Sequence, residues 1–130
     1  MIYFLRKYWL STIFILVIFI LCLMNTTPLP APQILNFDKL VHIIMFMGIS
    51  GIIFFDSTLY LRLPTNKIRI FLSTFLFPIV LGGIIEILQE YFTQTRSGDW
   101  FDFLFDIVGA FLGWGIALLI NRRLQLKRKT

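Results

Sequence analysis

Between residues 8 and 24 the chain carries no charged side chain, and three more predominantly apolar stretches follow at residues 38–55, 70–91 and 100–120. Crossing the hydrocarbon of a bilayer as a helix takes about 20 such residues. In lipid every backbone polar group must be satisfied within its own segment, so helices are the economical solution. The spacing therefore predicts four transmembrane helices in one domain covering residues 1–130. Asn25-Thr26-Thr27 and then Pro28, Pro30 and Pro32 end the first stretch. Basic Arg6 and Lys7 precede it as they would in a signal peptide. No small-x-small cleavage pattern follows, so the segment reads as an uncleaved anchor. The second stretch is short, and Pro78 in the middle of the third predicts a kink.

Composition excludes the main alternatives. With 58% hydrophobic and 15% charged residues, the chain falls well below the roughly one quarter of charged residues in soluble domains. A soluble fold of this size would leave large apolar patches in water. The formal charge of +5 does not indicate nucleic acid, because the basic residues cluster at the ends of apolar runs. The expected partner is the lipid bilayer. Cys22 stands alone inside an apolar run, which leaves no disulfide framework and no cysteine metal cluster.

The basic residues also set an orientation. Arg6 and Lys7, then Arg62, Lys67 and Arg69, then Arg122, Arg123, Lys127, Arg128 and Lys129 flank the spans on one side, ten of the twelve Lys and Arg residues. The positive-inside rule makes that side cytoplasmic, with both termini inside. The basic tail after residue 120 is expected to lie against anionic lipid. Six of the seven acids, Asp38, Glu86, Glu90, Asp99, Asp102 and Asp106, fall on the opposite side, and Asp56 falls inside. Acids contribute little to topology, so this asymmetry points to something else.

Those acids sit at helical spacing. Asp38 and His42 are i and i+4; Glu86, Gln89 and Glu90 are i, i+3 and i+4; Asp99, Asp102 and Asp106 are i, i+3 and i+7. Glu86 and Asp106 lie about 8–10 Å inward of the outer helix ends at 1.5 Å per residue. A charged side chain facing acyl chains costs about 2.5–3.5 kcal/mol. The three sets are therefore expected to face one another, or to share an aqueous cavity, with the first span as a lipid-facing support. Bland roles compete: Asp38 and Asp99 suit helix N-caps, and His42 suits a bond to a backbone carbonyl. Glu86 and Asp106 sit away from helix ends and have no such role. Arg96 is the strong cation near four carboxylates, expected to close an ion-pair network with Asp102 or Glu90 or else to bind an anionic group. Gly109-x-x-x-Gly113 with Ala110 predicts close helix approach, with Gly82, Gly83, Gly48 and Gly51 as facing surfaces. Trp9, Tyr91 and Trp100 are placed as interfacial anchors.

Asp38-Lys39-Leu40-Val41-His42, Glu86-x-x-Gln89, and Arg96-Ser97-x-Asp99-x-x-Asp102-x-x-x-Asp106-x-x-Gly109-Ala110-x-x-Gly113, in that order, resemble the VanZ-like family of bacterial membrane proteins. The family takes its name from a protein associated with teicoplanin resistance. The resemblance departs at Asp106, where the family pattern usually carries Asn. It implies a multi-pass protein of the bacterial inner membrane and cell envelope with a link to glycopeptide tolerance, and it implies no known reaction.

Two main functions follow from the residues. In the first, Asp38, His42, Glu86, Gln89, Arg96, Asp102 and Asp106 line an outward-facing polar pocket that engages a lipid-linked or cell-surface molecule, such as a cell-wall precursor, with no cofactor. In the second, the chain is a metal-assisted hydrolase or transferase acting on a lipid headgroup, its Asp, Glu and His holding a cation. There is no HExxH, nucleophile turn or phosphate loop to name a catalytic residue. Ion translocation is disfavoured: Ser50, Ser73 and Thr74 are the polar residues of the inner halves of spans two to four, too few for a path.

Overall fold

The computed structural model describes residues 7–24, 37–60, 66–93 and 98–127. Among these residues all the regular secondary structure is helical. Helix α1 is Trp9–Leu23. Helix α2 is Phe37–Phe54 and continues as a π-helical segment, Phe55–Tyr60. Helix α3 is Lys67–Phe92, in which α-helical Lys67–Phe71 and Phe77–Phe92 flank a π-helical stretch, Leu72–Leu76. Helix α4 is Trp100–Lys127.

Three of the four helices, α2, α3 and α4, are long and apolar enough to cross a membrane. Helix α1 is the exception. Its 15 residues reach about 22 Å at 1.5 Å per residue, short of a hydrocarbon core of about 30 Å. The first predicted span is thus recovered as a shorter apolar helix. The other three run longer than predicted. Helix α4 continues to Lys127 because its last turns, Arg122, Arg123 and Lys127, are exposed and suit a helix emerging from the apolar layer.

The molecule is inside out by the standard of a soluble protein. Large apolar side chains are exposed on every helix, among them Leu16, Ile44, Val80, Ile87, Phe111 and Ile116. The buried polar set includes His42, Ser50, Asp56, Thr74, Glu86, Gln89 and Asp106. Water would not tolerate that surface, and lipid favours it. The apolar core joins Ile18 and Cys22 of α1, Phe46, Ile49 and Ile53 of α2, and Leu81 and Ile85 of α3. Helix α1 contributes the stripe Ser11, Ile18 and Cys22, at i, i+7 and i+11, and turns Ile13, Leu16, Ile20 and Leu21 outward. At the other end, Trp114 of α4 packs edge-on to Phe71 of α3, with ring centroids 5.7 Å apart.

Glycine sets the closest contact, between α2 and α4. A Cβ on Gly109 would lie 2.5 Å from the Ile43 carbonyl oxygen, and one on Gly113 would lie 2.5 Å from Ser50 Cβ. The GxxxG stripe of α4 therefore meets non-glycine positions of α2. Gly48 faces Phe14 of α1 instead, and Gly51 has nothing within 4 Å, so the expected glycine-on-glycine surface on α2 does not form. The two remaining glycines do face α4, Gly82 through Asp106 and Gly83 through Phe103.

Where Pro78 predicts a kink, the structure has a π stretch. Pro78 has no N–H to give, and its ring crowds the carbonyl four residues back. The Phe77 N–H reaches the Leu72 carbonyl, five residues back, so the helix widens just before the proline. Thr74 Oγ1 donates to the Ile70 carbonyl at 2.7 Å.

Candidate functional site

One end of the bundle gathers the start of α2, the end of α3 and the start of α4. His42 lies one turn into α2 on the face shared with Asp38. Glu86 lies six residues before the end of α3, and Asp106 six residues after the start of α4. The α2–α4 approach at Gly109 presses these faces together. Gly82 leaves room beside them: a Cβ there would stand 2.7 Å from Asp106 Oδ2.

His42 is 2% exposed, Asp106 0% and Glu86 9%. His42 Nδ1 pairs with Asp106 Oδ1 at 2.8 Å. Its other ring nitrogen, Nε2, faces Asp102 Oδ2 at 3.8 Å, too long for a hydrogen bond. Glu86 Oε2 accepts the Asp99 backbone N–H at 2.8 Å. Ligand atoms of His42, Glu86 and Asp106 all lie within 4.8 Å of one another, and a second set, Asp38, His42 and Asp102, meets the same limit. Two oxygens in the buried set, Glu86 Oε1 and Asp106 Oδ2, are buried without a hydrogen-bond partner.

Neither Glu86 nor Asp106 is paired with Lys or Arg among the described residues. Lys39, the described base at this end, instead lies over the rings of Phe101 and Phe105, 5.2 and 5.6 Å from their centroids. A cavity of ≈ 520 Å³ opens beside Glu86, between α3 and α4, and Glu90, Gly98, Asp99, Trp100 and Phe103 also line it.

The sequence-predicted residues divide. Asp38, His42, Glu86, Asp102 and Asp106 converge, the first of them exposed and Asp102 15% exposed. Gln89 turns elsewhere: its Nε2 donates to the Cys22 carbonyl at 2.9 Å, tying the end of α1 to α3. The expectation for Arg96 falls outside the described residues. Asp99 acts as the N-cap of α4, its Oδ1 accepting the Phe101 N–H at 2.8 Å. Glu90 Oε2 accepts the Gly98 N–H at 3.1 Å, and a Cβ on Gly98 would lie 2.6 Å from the Glu86 carbonyl oxygen. Two carboxylates of α3 thus hold the entry to α4.

Sequence reasoning missed the role of Asp56 at the opposite end. Asp56 is fully buried, and its Oδ2 accepts both the Ser11 N–H at 3.0 Å and the Ser11 hydroxyl at 2.7 Å. Helix α1 has no cap of its own, since Tyr8 makes no side-chain cap bond. Asp56 supplies that cap from another helix, and its charge suits the positive end of α1. An uncapped helix start beside an isolated inner acid was the available signal.

A family model described as VanZ/LLP1 matches residues 1–121. No curated protein and no solved structure matches the chain. The family match covers all three helices that meet at His42, and with the membrane-length helices it establishes that the chain is a membrane protein belonging to the VanZ-like family.

Proposed function

We propose that the His42 end of the bundle faces the outside of a bacterial inner membrane, and that its polar pocket engages a lipid-linked or cell-surface molecule of the envelope. Both termini are then cytoplasmic, on the side holding ten of the twelve basic residues. One observation carries this reading: three buried polar side chains from three helices meet, and one of them, Glu86, lines a cavity of ≈ 520 Å³. Glu86 and Asp106, six residues from their helix ends, lie about 9 Å deep, and His42, five residues in, about 7.5 Å, within reach of a headgroup and its linkage. Trp100 and Phe103 give the cavity apolar walls, while Glu86, Glu90 and Asp99 supply acceptors. That lining suits a ligand offering hydroxyl, amide or ammonium donors next to an apolar part. Glycopeptide tolerance follows in this reading from engagement of an envelope component at the same pocket.

The test expresses the chain in a teicoplanin-susceptible bacterium and compares it with Glu86→Gln and Asp106→Asn at matched membrane levels. The expected result is raised tolerance with the unaltered chain and loss of it with either variant. Full tolerance in both variants removes the pocket from the explanation. A C-terminal fluorescent-protein fusion that stays dark, with an alkaline phosphatase fusion that is active, reverses the orientation.

A further inference from the structure

The buried half of the site has more acceptors than donors. Glu86 and Asp106 bring four carboxylate oxygens. The donors that reach them are the Asp99 N–H, taken by Glu86 Oε2, and a ring N–H of His42, taken by Asp106 Oδ1. Glu86 Oε1 and Asp106 Oδ2 remain buried and without partners. Two unpartnered carboxylate oxygens in one buried cluster are costly unless something positive lies near them. No Lys or Arg among the described residues provides it, since Lys39 rests on two aromatic rings.

We propose that His42, Glu86 and Asp106 form a binding site for one divalent transition-metal cation of the Zn²⁺ class. The donor set is one imidazole and two carboxylates, and the imidazole favours Zn²⁺ over Mg²⁺ or Ca²⁺. Two carboxylates balance a charge of +2, which removes the burial cost on both sides. Ligands bonded at about 2.1 Å to one tetrahedral ion stand about 3.4 Å apart. The three donors lie within 4.8 Å of one another, so side-chain closure of up to about 1.4 Å completes the sphere. Three protein ligands would leave a fourth position for water or a ligand, and Glu86 also lines the cavity.

The surroundings fit the assignment. Both ring nitrogens of His42 have a carboxylate beside them, Asp106 Oδ1 at 2.8 Å and Asp102 Oδ2 at 3.8 Å. When Nε2 turns to the ion, Nδ1 keeps its hydrogen bond to Asp106, which fixes the ring and its tautomer; in the other orientation Nε2 has Asp102 beside it and needs a shift of under about 1 Å to bond it. When Nδ1 ligates, Asp102 is the positioning residue. Gly82 contributes by its missing side chain, because a methyl group there would stand 2.7 Å from the Asp106 oxygen that has no partner.

The site is tested on the full-length, tag-free protein in detergent, stripped by chelator and titrated with Zn²⁺ against a chromophoric competitor. Metal content after gel filtration is read by mass spectrometry. One Zn²⁺ per chain is expected, with affinity about tenfold or more weaker in His42→Ala, Glu86→Gln and Asp106→Asn. Asp56→Asn, at the other end, should bind as the unaltered chain does. To separate loss of binding from loss of folding, the unaltered chain is also melted with and without Zn²⁺, and a rise in melting temperature is expected. No bound metal and no rise overturn the proposal. So does affinity that falls with Asp38→Asn and Asp102→Asn while Glu86→Gln leaves it intact, because the ion then sits in the outer set. Loss of tolerance in Glu86→Gln together with a metal-free unaltered chain would reject the cation and leave the pocket standing.

Discussion

The two ends of the bundle each bury acid, and they treat it differently. At one end Asp56 meets the start of α1, and a single carboxylate oxygen takes two hydrogen bonds from Ser11. At the other end Glu86 and Asp106 come from different helices to the same place, and each keeps one buried oxygen without a partner. Asp56 Oδ1 also lacks a hydrogen bond. Its carboxylate, however, faces the uncapped N-terminus of a helix, which carries about half a positive charge. Asp56 therefore completes a helix and Ser11 completes Asp56. The His42 end has no such closure. An acid whose donors are supplied by the fold reads as architecture; acids whose donors are missing read as a place for something else.

Removing the carboxylate at each end should expose the contrast, and the largest effect belongs to Asp56→Ala. It deletes two hydrogen bonds to a charged acceptor, each worth about 1.5–3 kcal/mol, and leaves the first turn of α1 uncapped. We expect a loss of about 3 kcal/mol in denaturant unfolding in micelles, with early detachment of α1 in hydrogen exchange. A change under about 1 kcal/mol would mean that the cap is dispensable and the contrast false. Gly109→Ala should come next, at about 2 kcal/mol, because a Cβ cannot move away from a backbone carbonyl as it can from a side chain. The Ile43 oxygen at 2.5 Å is the obstacle. Exchange protection should fall around Ile43 and Asp106 and hold around Asp56. Uniform loss along α2 would show that the two ends are not separate units.

Ser11→Ala sharpens the first result. It removes the hydroxyl bond to Asp56 and keeps the backbone bond, so about 1–1.5 kcal/mol is expected. Combined with Asp56→Ala it should add almost nothing, since the partner is already gone. Additive losses would place the contribution of Ser11 elsewhere.

The helices were legible because apolar length and proline breaks are local signals, and so were Asp38 and His42 as an i, i+4 pair. Glu86 and Asp106 were legible through depth: an acid that far from a helix end has few acceptable environments in lipid. Gln89 misled because helical phase names a face and not the neighbour opposite it. Gln89 lies nearly one turn closer to the helix end than Glu86, and there the neighbour is the end of α1, with the Cys22 carbonyl. Asp56 was unreadable from α2 alone, since its partner lies 45 residues away at the start of a helix with no side-chain cap of its own. The π stretch before Pro78 was likewise hidden. Proline announces a lost donor, but the choice between a kink and a wider turn rests with the packing around Ile70 and Thr74.

The smallest shift belongs to Asp106→Asn, and its sign is the informative part. With chelator present the substitution leaves an amide oxygen to accept from His42 and puts an N–H₂ where the unpartnered Oδ2 stood. That new donor lies in the same cluster as Glu86 Oε1, which lacks one. The variant should match or exceed the unaltered chain, by no more than about 1 kcal/mol, because a missing hydrogen bond has been supplied. With Zn²⁺ in excess the order should reverse, since the carboxylate form binds the ion more tightly and gains more stability from it. A loss of about 3 kcal/mol in chelator would show that Asp106 is already satisfied as Asp56 is. The two ends would then differ in address and not in kind.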